Sequence, residues 1–148
     1  MKRQLLNYYL IVFLLCAVTK AMADEKLKPC PDSPNCVSSL ATSDEHRIAP
    51  MSYGGDRATA RLRLLAVLSQ FDKAEIVDDT ELYLRVTVTS AILRFVDDVT
   101  FFFDDKNALI QMRSASRSGY YDFGANRRRL EGIRQLYEQT ELPSGIQK

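Results

Sequence analysis

The sequence predicts an α+β domain in which two helices pack on one face of an antiparallel β-sheet. Two stretches have apolar residues at three- and four-residue steps, and the region between them alternates apolar with polar residues. Short polar turns separate the alternating segments, so the three central strands are expected to form an antiparallel meander. Covering one face of such a sheet with both helices gives a single core between two layers.

The first helix is predicted over residues 56–71, and the second from about Ala125 to Thr140. Asp56 follows two glycines and is suited to cap the first helix. The apolar stripes are expected to be core faces: Ala60, Leu64, Val67, Leu68 and Phe71 in the first helix, and Leu130, Ile133, Leu136 and Tyr137 in the second.

The central strands are predicted within residues 81–90, 93–103 and 108–116, with shorter strands at 47–51 and 74–77. The register is predicted by placing the apolar side chains of all three strands on one face of the sheet. A one-residue slip would move the apolar side chains of a strand to the other face. In that register Asp97 lies on the covered face between Leu84 and Ser114, and Asp98 lies on the other face opposite Arg113. The remaining predicted pairs are Phe103 with Ala108, Phe101 with Ile110, Val99 with Met112, Val86 with Phe95, Val88 with Leu93 and Thr89 with Ile92.

Residues 1–23 are predicted to be a signal peptide. Two cations precede an apolar run from Leu5 to Val18, and Ala21-Met22-Ala23 resembles a cleavage site. The run is shorter than the roughly 17–25 residues that a membrane-spanning helix needs. We therefore expect cleavage after Ala23 and export, most simply to the periplasm. The alternative is an uncleaved N-terminal anchor, the one case in which membrane contact is expected.

The cysteines are interpreted in the light of export. Cys16 lies inside the apolar run and is expected to leave with it. Lipid attachment there is disfavoured because bulky residues precede this cysteine. Cys30 and Cys36, in CPDSPNC, are expected to form a disulfide, since an isolated close pair in an oxidising compartment is most simply bridged. A redox or metal-binding role is the alternative.

Composition indicates one domain that does not bind nucleic acid. Removing residues 1–23 takes away three cations and no acids, so the formal charge falls from +1 to −2. A nucleic-acid-binding protein would show a basic excess. We expect an irregular, disulfide-linked arm over residues 24–45, a single α+β domain over 46–142 and a tail over 143–148.

A cluster of charged residues forms the candidate site. An ionised Asp97 on a covered face is costly without a partner, and Arg127, Arg128 and Arg129 begin a helix where the backbone dipole disfavours cations. Compensation is expected from acids or from a bound anion, and Arg117 and Arg127 are the partners first expected for Asp97. The candidate anion site is Asp97, Arg113, Arg117, Asp122, Asn126, Arg127 and Arg128.

Three motifs carry a resemblance to a known family: CPDSPNCVSS, FVDDV and RSASRSGYYDFGANRRR, in this order. At these residues the chain resembles the uncharacterised family catalogued as domain of unknown function 1499, from Cys30 to about Leu136. The family is mostly bacterial, often exported and also found in plastids. The resemblance implies no reaction, cofactor or ligand.

The favoured hypothesis is a structural or partner-binding protein of the cell envelope. A periplasmic module that binds an anionic small molecule or lipid is the first alternative, and a hydrolase-type enzyme using Asp and Arg residues is the second. His46 is the only histidine, which excludes a metal site made of several histidines. No catalytic residue, metal or cofactor is assigned, because the sequence has neither a nucleophile elbow nor a phosphate-binding loop.

Overall fold

The computed structural model describes residues 27–90 and 94–141. The predicted signal peptide, Cys16, the tail and the pairing positions Ile92 and Leu93 lie outside these ranges. Within them the chain is an α+β domain with a six-stranded sheet, which confirms the predicted fold class. Its elements in chain order are β1 (Cys36–Ser38), β2 (Met51–Ser52), α1 (Arg57–Leu68), β3 (Ala74–Asp79), β4 (Tyr83–Thr89), β5 (Val96–Asp104), β6 (Leu109–Ser116) and α2 (Ala125–Gln139).

The sheet is built around the meander β4-β5-β6, as the alternating pattern predicted. Strand order is β1-β6-β5-β4-β3, and β2 also pairs with β6. Every pair of named strands is antiparallel. Strand β1 lies within residues 24–45, where an irregular arm was expected. Its pairing with β6 makes this part of the arm an edge of the sheet, and the Cys30–Cys36 disulfide ties the preceding loop to it.

The predicted register is wrong, although the predicted faces are right. Phe103 pairs with Ile110 and Val86 with Val99, which corrects the predicted partners Ala108 and Phe95. The hairpin turn uses residues 105–108, because Ala108 adopts a left-handed backbone (φ 52°) and stays out of β6. Strand β4 ends at Thr89 and β5 begins at Val96, farther apart along the chain than expected, and hydrogen bonds join Ser90 to Phe95.

The errors of register are even numbers of residues, so each side chain keeps its predicted face. Asp97 pairs with Val88 and Ser116, and Asp98 pairs with Thr87 and Ala115. The remaining predicted pairs are corrected in the same way: Phe101 pairs with Met112, Val99 with Ser114, Val88 with Asp97 and Thr89 with Val96.

Both helices contribute to one core on the face of the sheet that carries Phe101. Asp56 caps α1 by accepting a hydrogen bond from the Thr59 N–H at 2.8 Å, as predicted. The core contains the expected stripes of both helices, with Phe71 and Leu136 partly buried against it, together with Val99, Phe101 and Phe103 of β5. Its largest fully buried side chains are Tyr137, Phe101, Phe103, Met51, Leu64, Leu84, Ile110, Met112, Leu130 and Ile133.

Candidate functional site

A buried ion pair lies where β5 meets the first turn of α2. Asp97 Oδ2 accepts a hydrogen bond from Arg129 Nη2 at 2.5 Å, and the side chains are only 6% and 12% exposed, respectively. The predicted pairing of Asp97 with an arginine of the following segment is therefore confirmed. The prediction that Arg117 or Arg127 is this partner is wrong, because α2 directs the side chain of Arg129 toward β5.

Asn126 connects this ion pair to the loops around it. Its side chain is fully buried, and its Oδ1 accepts hydrogen bonds from Arg129 Nη1 at 2.8 Å and Ser114 Oγ at 2.5 Å. Its amide nitrogen lies within hydrogen-bond distance of Asn35 O (2.9 Å), Asp122 Oδ2 (2.8 Å) and Ser116 Oγ (3.0 Å). A buried polar network satisfied in this way makes the local structure rigid and specific.

Asp122 supplies the cap that α2 lacks at its own first position. Gly124 precedes the helix with a left-handed backbone (φ 76°) and has no side chain to cap it. Asp122 instead accepts hydrogen bonds from the Gly124 N–H at 2.9 Å and the Asn126 N–H at 2.8 Å. A carboxylate at this end also opposes the helix dipole.

The three consecutive arginines at the start of α2 each have a partner within the protein. Arg129 binds Asp97, Arg127 donates to the carbonyl oxygens of Arg47 and Glu45 at 2.7 Å, and Arg128 donates to the Phe123 carbonyl at 2.7 Å. With Asp122 at the helix end, these contacts provide the compensation that the sequence required. Contacts within the protein, from Asp122 and Arg128, therefore bind the backbone of the loop before α2.

A cleft of about 430 Å³ opens beside this network. Its rim carries three exposed aromatic side chains, Phe95, Tyr121 and Phe123, while Asp97 and Arg129 contribute to its lining. Phe123 itself has a left-handed backbone (φ 55°). The remaining lining residues are Ser90, Ser116, Ser118, Gly119, Asp122 and Ala125. We call this feature the aromatic cleft.

The residues of the predicted anion site do not form one cluster. Asp97, Asp122 and Asn126 lie together around Arg129, whereas Arg113 and Arg117 belong to the opposite side of the sheet. Arg117 binds both carboxylate oxygens of Asp98 at 2.8–3.1 Å. Arg127 and Arg128 lie on other surfaces of α2, held by backbone carbonyls.

Sequence reasoning missed Arg129 and Asn35 as members of the buried network. Arg129 stood in the same run of arginines, and only the rotation of α2 about its axis distinguishes it from its neighbours. Asn35 lies 91 residues from Asn126, and no local pattern indicates such a contact. Phe95 was treated as a strand residue, but it precedes β5 and lies on the rim of the cleft.

The side chains that a hydrolase-type enzyme could use do not come together in the described part of the chain. His46 Nδ1 donates to the Cys36 carbonyl at 2.9 Å, and Ser114 Oγ donates to Asn126. Asp97 and Asp98 point to opposite faces of the sheet. Among the described residues, no cluster of three or more His, Cys, Asp or Glu side chains could bind a metal, and none of the helices has the length and apolarity to span a bilayer.

These features define a small α+β protein with a buried Asp–Arg–Asn network and an adjacent aromatic cleft. The chain belongs to the family described as protein of unknown function DUF1499, which it matches over residues 26–136. The predicted family membership is therefore confirmed. Comparison with curated proteins and with solved structures found no match.

Proposed function

We propose that this protein is an exported cell-envelope protein that binds an apolar group of an amphiphilic partner molecule in the aromatic cleft. The observation that carries the proposal is the exposure of three rim aromatics, 47% for Phe95, 59% for Tyr121 and 78% for Phe123, around one concavity. Ligand sites are concave, mostly apolar and about 300–1,000 Å³ in volume. The cleft, at about 430 Å³, falls within that range.

The backbone of Phe123 supports a binding role for this rim. A left-handed conformation costs a bulky residue about 1–3 kcal/mol and persists only where the surroundings enforce it. Here Asp122 fixes the following turn and Arg128 holds the Phe123 carbonyl. The ring remains largely exposed, so burial within the domain does not offset the free-energy cost of this backbone conformation. A partner that covers the ring would offset it.

The charges in the cleft favour one kind of polar group on the partner. Two carboxylates, Asp97 and Asp122, and one guanidinium, Arg129, line the cleft among the described residues. Arg129 is already engaged by Asp97, Asn126 and Ser114. An anion would therefore be repelled by a lining of net negative charge, whereas a cationic group would be attracted and a neutral group would not be repelled. The proposed ligand has an apolar body and a neutral or cationic polar end.

The proposed location depends on the N-terminal segment and on the disulfide. A charged start, a short apolar run and a small-residue site together are typical of a secretory signal. The Cys30–Cys36 disulfide supports the same location, because disulfides persist in oxidising compartments such as the periplasm. Detection of the processed chain beginning at Asp24 in a periplasmic fraction would test it, and a full-length chain in the cytoplasm would contradict it.

The binding proposal is tested with Nile red, a neutral apolar dye whose fluorescence rises in apolar sites. Tyr121→Ala should lower dye affinity by at least about fivefold, because stacking and burial on one aromatic ring contribute roughly 1 kcal/mol or more. Tyr120→Ala is the matched control. Tyr120 is adjacent and 73% exposed but does not line the cleft, so its loss should leave affinity unchanged.

Competition then tests the charge of the site. Decylammonium should displace the dye at lower concentration than decanoate does, both kept below micelle-forming concentrations. Equal affinities of the two tyrosine variants would contradict the location of the site. Better displacement by decanoate would contradict the proposed charge of the ligand.

A further inference from the structure

A second groove lies on the face of the sheet opposite the helices. It encloses about 450 Å³, and three cationic side chains line it: Lys28, Arg85 and Arg113. We propose that this groove binds a phosphate group, with Arg113 as its central ligand. We call it the open-face groove. The proposal concerns a different ligand and a different face from the aromatic cleft, so either proposal can fail without the other.

The strand register places the binding groups in one row. Thr100 on β5 pairs with Arg113 on β6 and with Arg85 on β4. Neighbouring strands are about 4.8 Å apart, so the two arginine backbones are separated by about 10 Å across the threonine. Long guanidinium side chains can close this distance around a tetrahedral anion. The row therefore places Arg113 and a hydroxyl donor side by side, with Arg85, which is also paired with Asp78, on the same surface.

Arg113 is the member of this row that has a buried donor atom with no hydrogen-bond partner among the described residues. The Arg113 side chain is half-buried, and its Nε atom is buried without a hydrogen-bond partner among the residues that the structure describes. Its neighbours on this face differ, because Arg117 binds Asp98 and Arg85 approaches Asp78 at 3.1 Å. Burial lowers the pKa of Arg113, and attraction by Asp98 counters only part of that effect.

Arg113 is half-buried, and no other residue in the described part of the chain forms a salt bridge with it. A bound anion would therefore offset the cost of burying its charge. Arginine suits phosphate because its planar donors bind two oxygens at once. Lys28 adds a further positive charge at the groove, beside Leu27, which is buried there. The acid that lines the groove, Asp98, is neutralised by its two-oxygen contact with Arg117. The groove therefore keeps an excess of positive charge.

The proposal is tested by calorimetric titration of the mature chain with inorganic phosphate and, separately, by flotation with phosphatidylglycerol vesicles. Arg113→Met keeps the size of the side chain but removes its charge, and it should lower phosphate affinity by about tenfold or more. Thr100→Val keeps the shape and removes one hydroxyl, with an expected loss of roughly fivefold. Thr87→Val is the matched control, since Thr87 lies on the same face outside the groove.

The calorimetric titration and the vesicle flotation together distinguish the source of the phosphate. Binding of inorganic phosphate that depends on Arg113 indicates a soluble ligand, whereas binding of vesicles alone, again dependent on Arg113, indicates a lipid headgroup. Binding of neither probe would overturn the proposal. So would binding that Arg113→Met and Thr100→Val leave unchanged, provided that thermal melts show both variants folded.

Discussion

Replacing Asp97 with alanine should destabilise the domain strongly, because it leaves the guanidinium of Arg129 buried without its counter-ion. The pair is nearly inaccessible to solvent, at 6% and 12% exposure of the two side chains. Arg129 would retain hydrogen bonds to Asn126 and Ser114, but both of these partners are neutral. The lost interaction is therefore one between two full charges that are largely shielded from water.

The magnitude follows from the geometry. Two unit charges about 4 Å apart in an effective dielectric of about 20 attract each other by about 4 kcal/mol. Removing one partner of a buried pair costs about 3–5 kcal/mol in other proteins. Because Arg129 keeps its other hydrogen bonds, the expected loss of stability in Asp97→Ala is near the lower end of this range, at about 3 kcal/mol. For a domain of this size, that corresponds to a fall in Tm of roughly 10–15 °C.

The assay is thermal unfolding followed by circular dichroism, with Asp98→Ala as the matched control. Asp98 is the adjacent acid and also binds an arginine, but that pair is much more exposed, at 45% for Asp98 and 54% for Arg117. An exposed pair contributes about 0–1 kcal/mol, so this variant should melt within a few degrees of the parent.

A double substitution gives a second test of the same reasoning. Asp97→Ala combined with Arg129→Met removes both charges, so the double variant should be more stable than Asp97→Ala alone. If the melting temperatures of Asp97→Ala and Asp98→Ala are both close to that of the parent protein, the Asp97–Arg129 ion pair does not stabilise the fold. The structural role assigned to the network would then be wrong.

Two further predictions concern other parts of the domain. Burial, followed by the hydrogen bond and charge of Asp105, raises the pKa of Tyr53 to about 12 from its ordinary value of 10.0. The resulting stabilisation should be complete below pH 10 and lost as the pH rises to about 12. Absorbance titration should show a lower pKa of Tyr53 in the Asp105→Asn variant. An unchanged pKa would contradict the contribution assigned to Asp105. Reduction of the Cys30–Cys36 disulfide should lower the free energy of unfolding by about 2–3 kcal/mol; denaturant curves check this, and two free thiols in the oxidised protein would refute it.

The sequence was sufficient to predict the layers and the faces of the fold but not the pairing of its strands. The face on which a side chain lies depends on alternation along a single strand, which the sequence displays directly at Val99, Phe101 and Phe103. Which residues pair across two strands depends instead on where the turn between them closes. The left-handed backbones at Arg94 and Ala108 lengthen or shift the turns, and neither residue type signals that conformation.

The candidate site was predictable in its chemistry but not in its exact membership. A carboxylate on a covered face required a cation, and this requirement alone predicted an arginine partner for Asp97. Choosing Arg129 from the run of arginines required the rotation of α2, which is determined by packing of Leu130 and Ile133 in the core. The aromatic cleft could not be predicted, since Phe95 and Phe123 come together only through the two loops that carry them.

The most direct test of the binding proposal is native mass spectrometry of the mature protein isolated from the envelope of its own host. The account predicts a noncovalent complex with a small amphiphile, present in the parent and in Tyr120→Ala but lost in Tyr121→Ala. Arg113→Met should retain this complex, because the open-face groove is a separate site. A complex that survives Tyr121→Ala, or a parent protein that carries no bound molecule, would contradict the proposal that the aromatic cleft is the binding site.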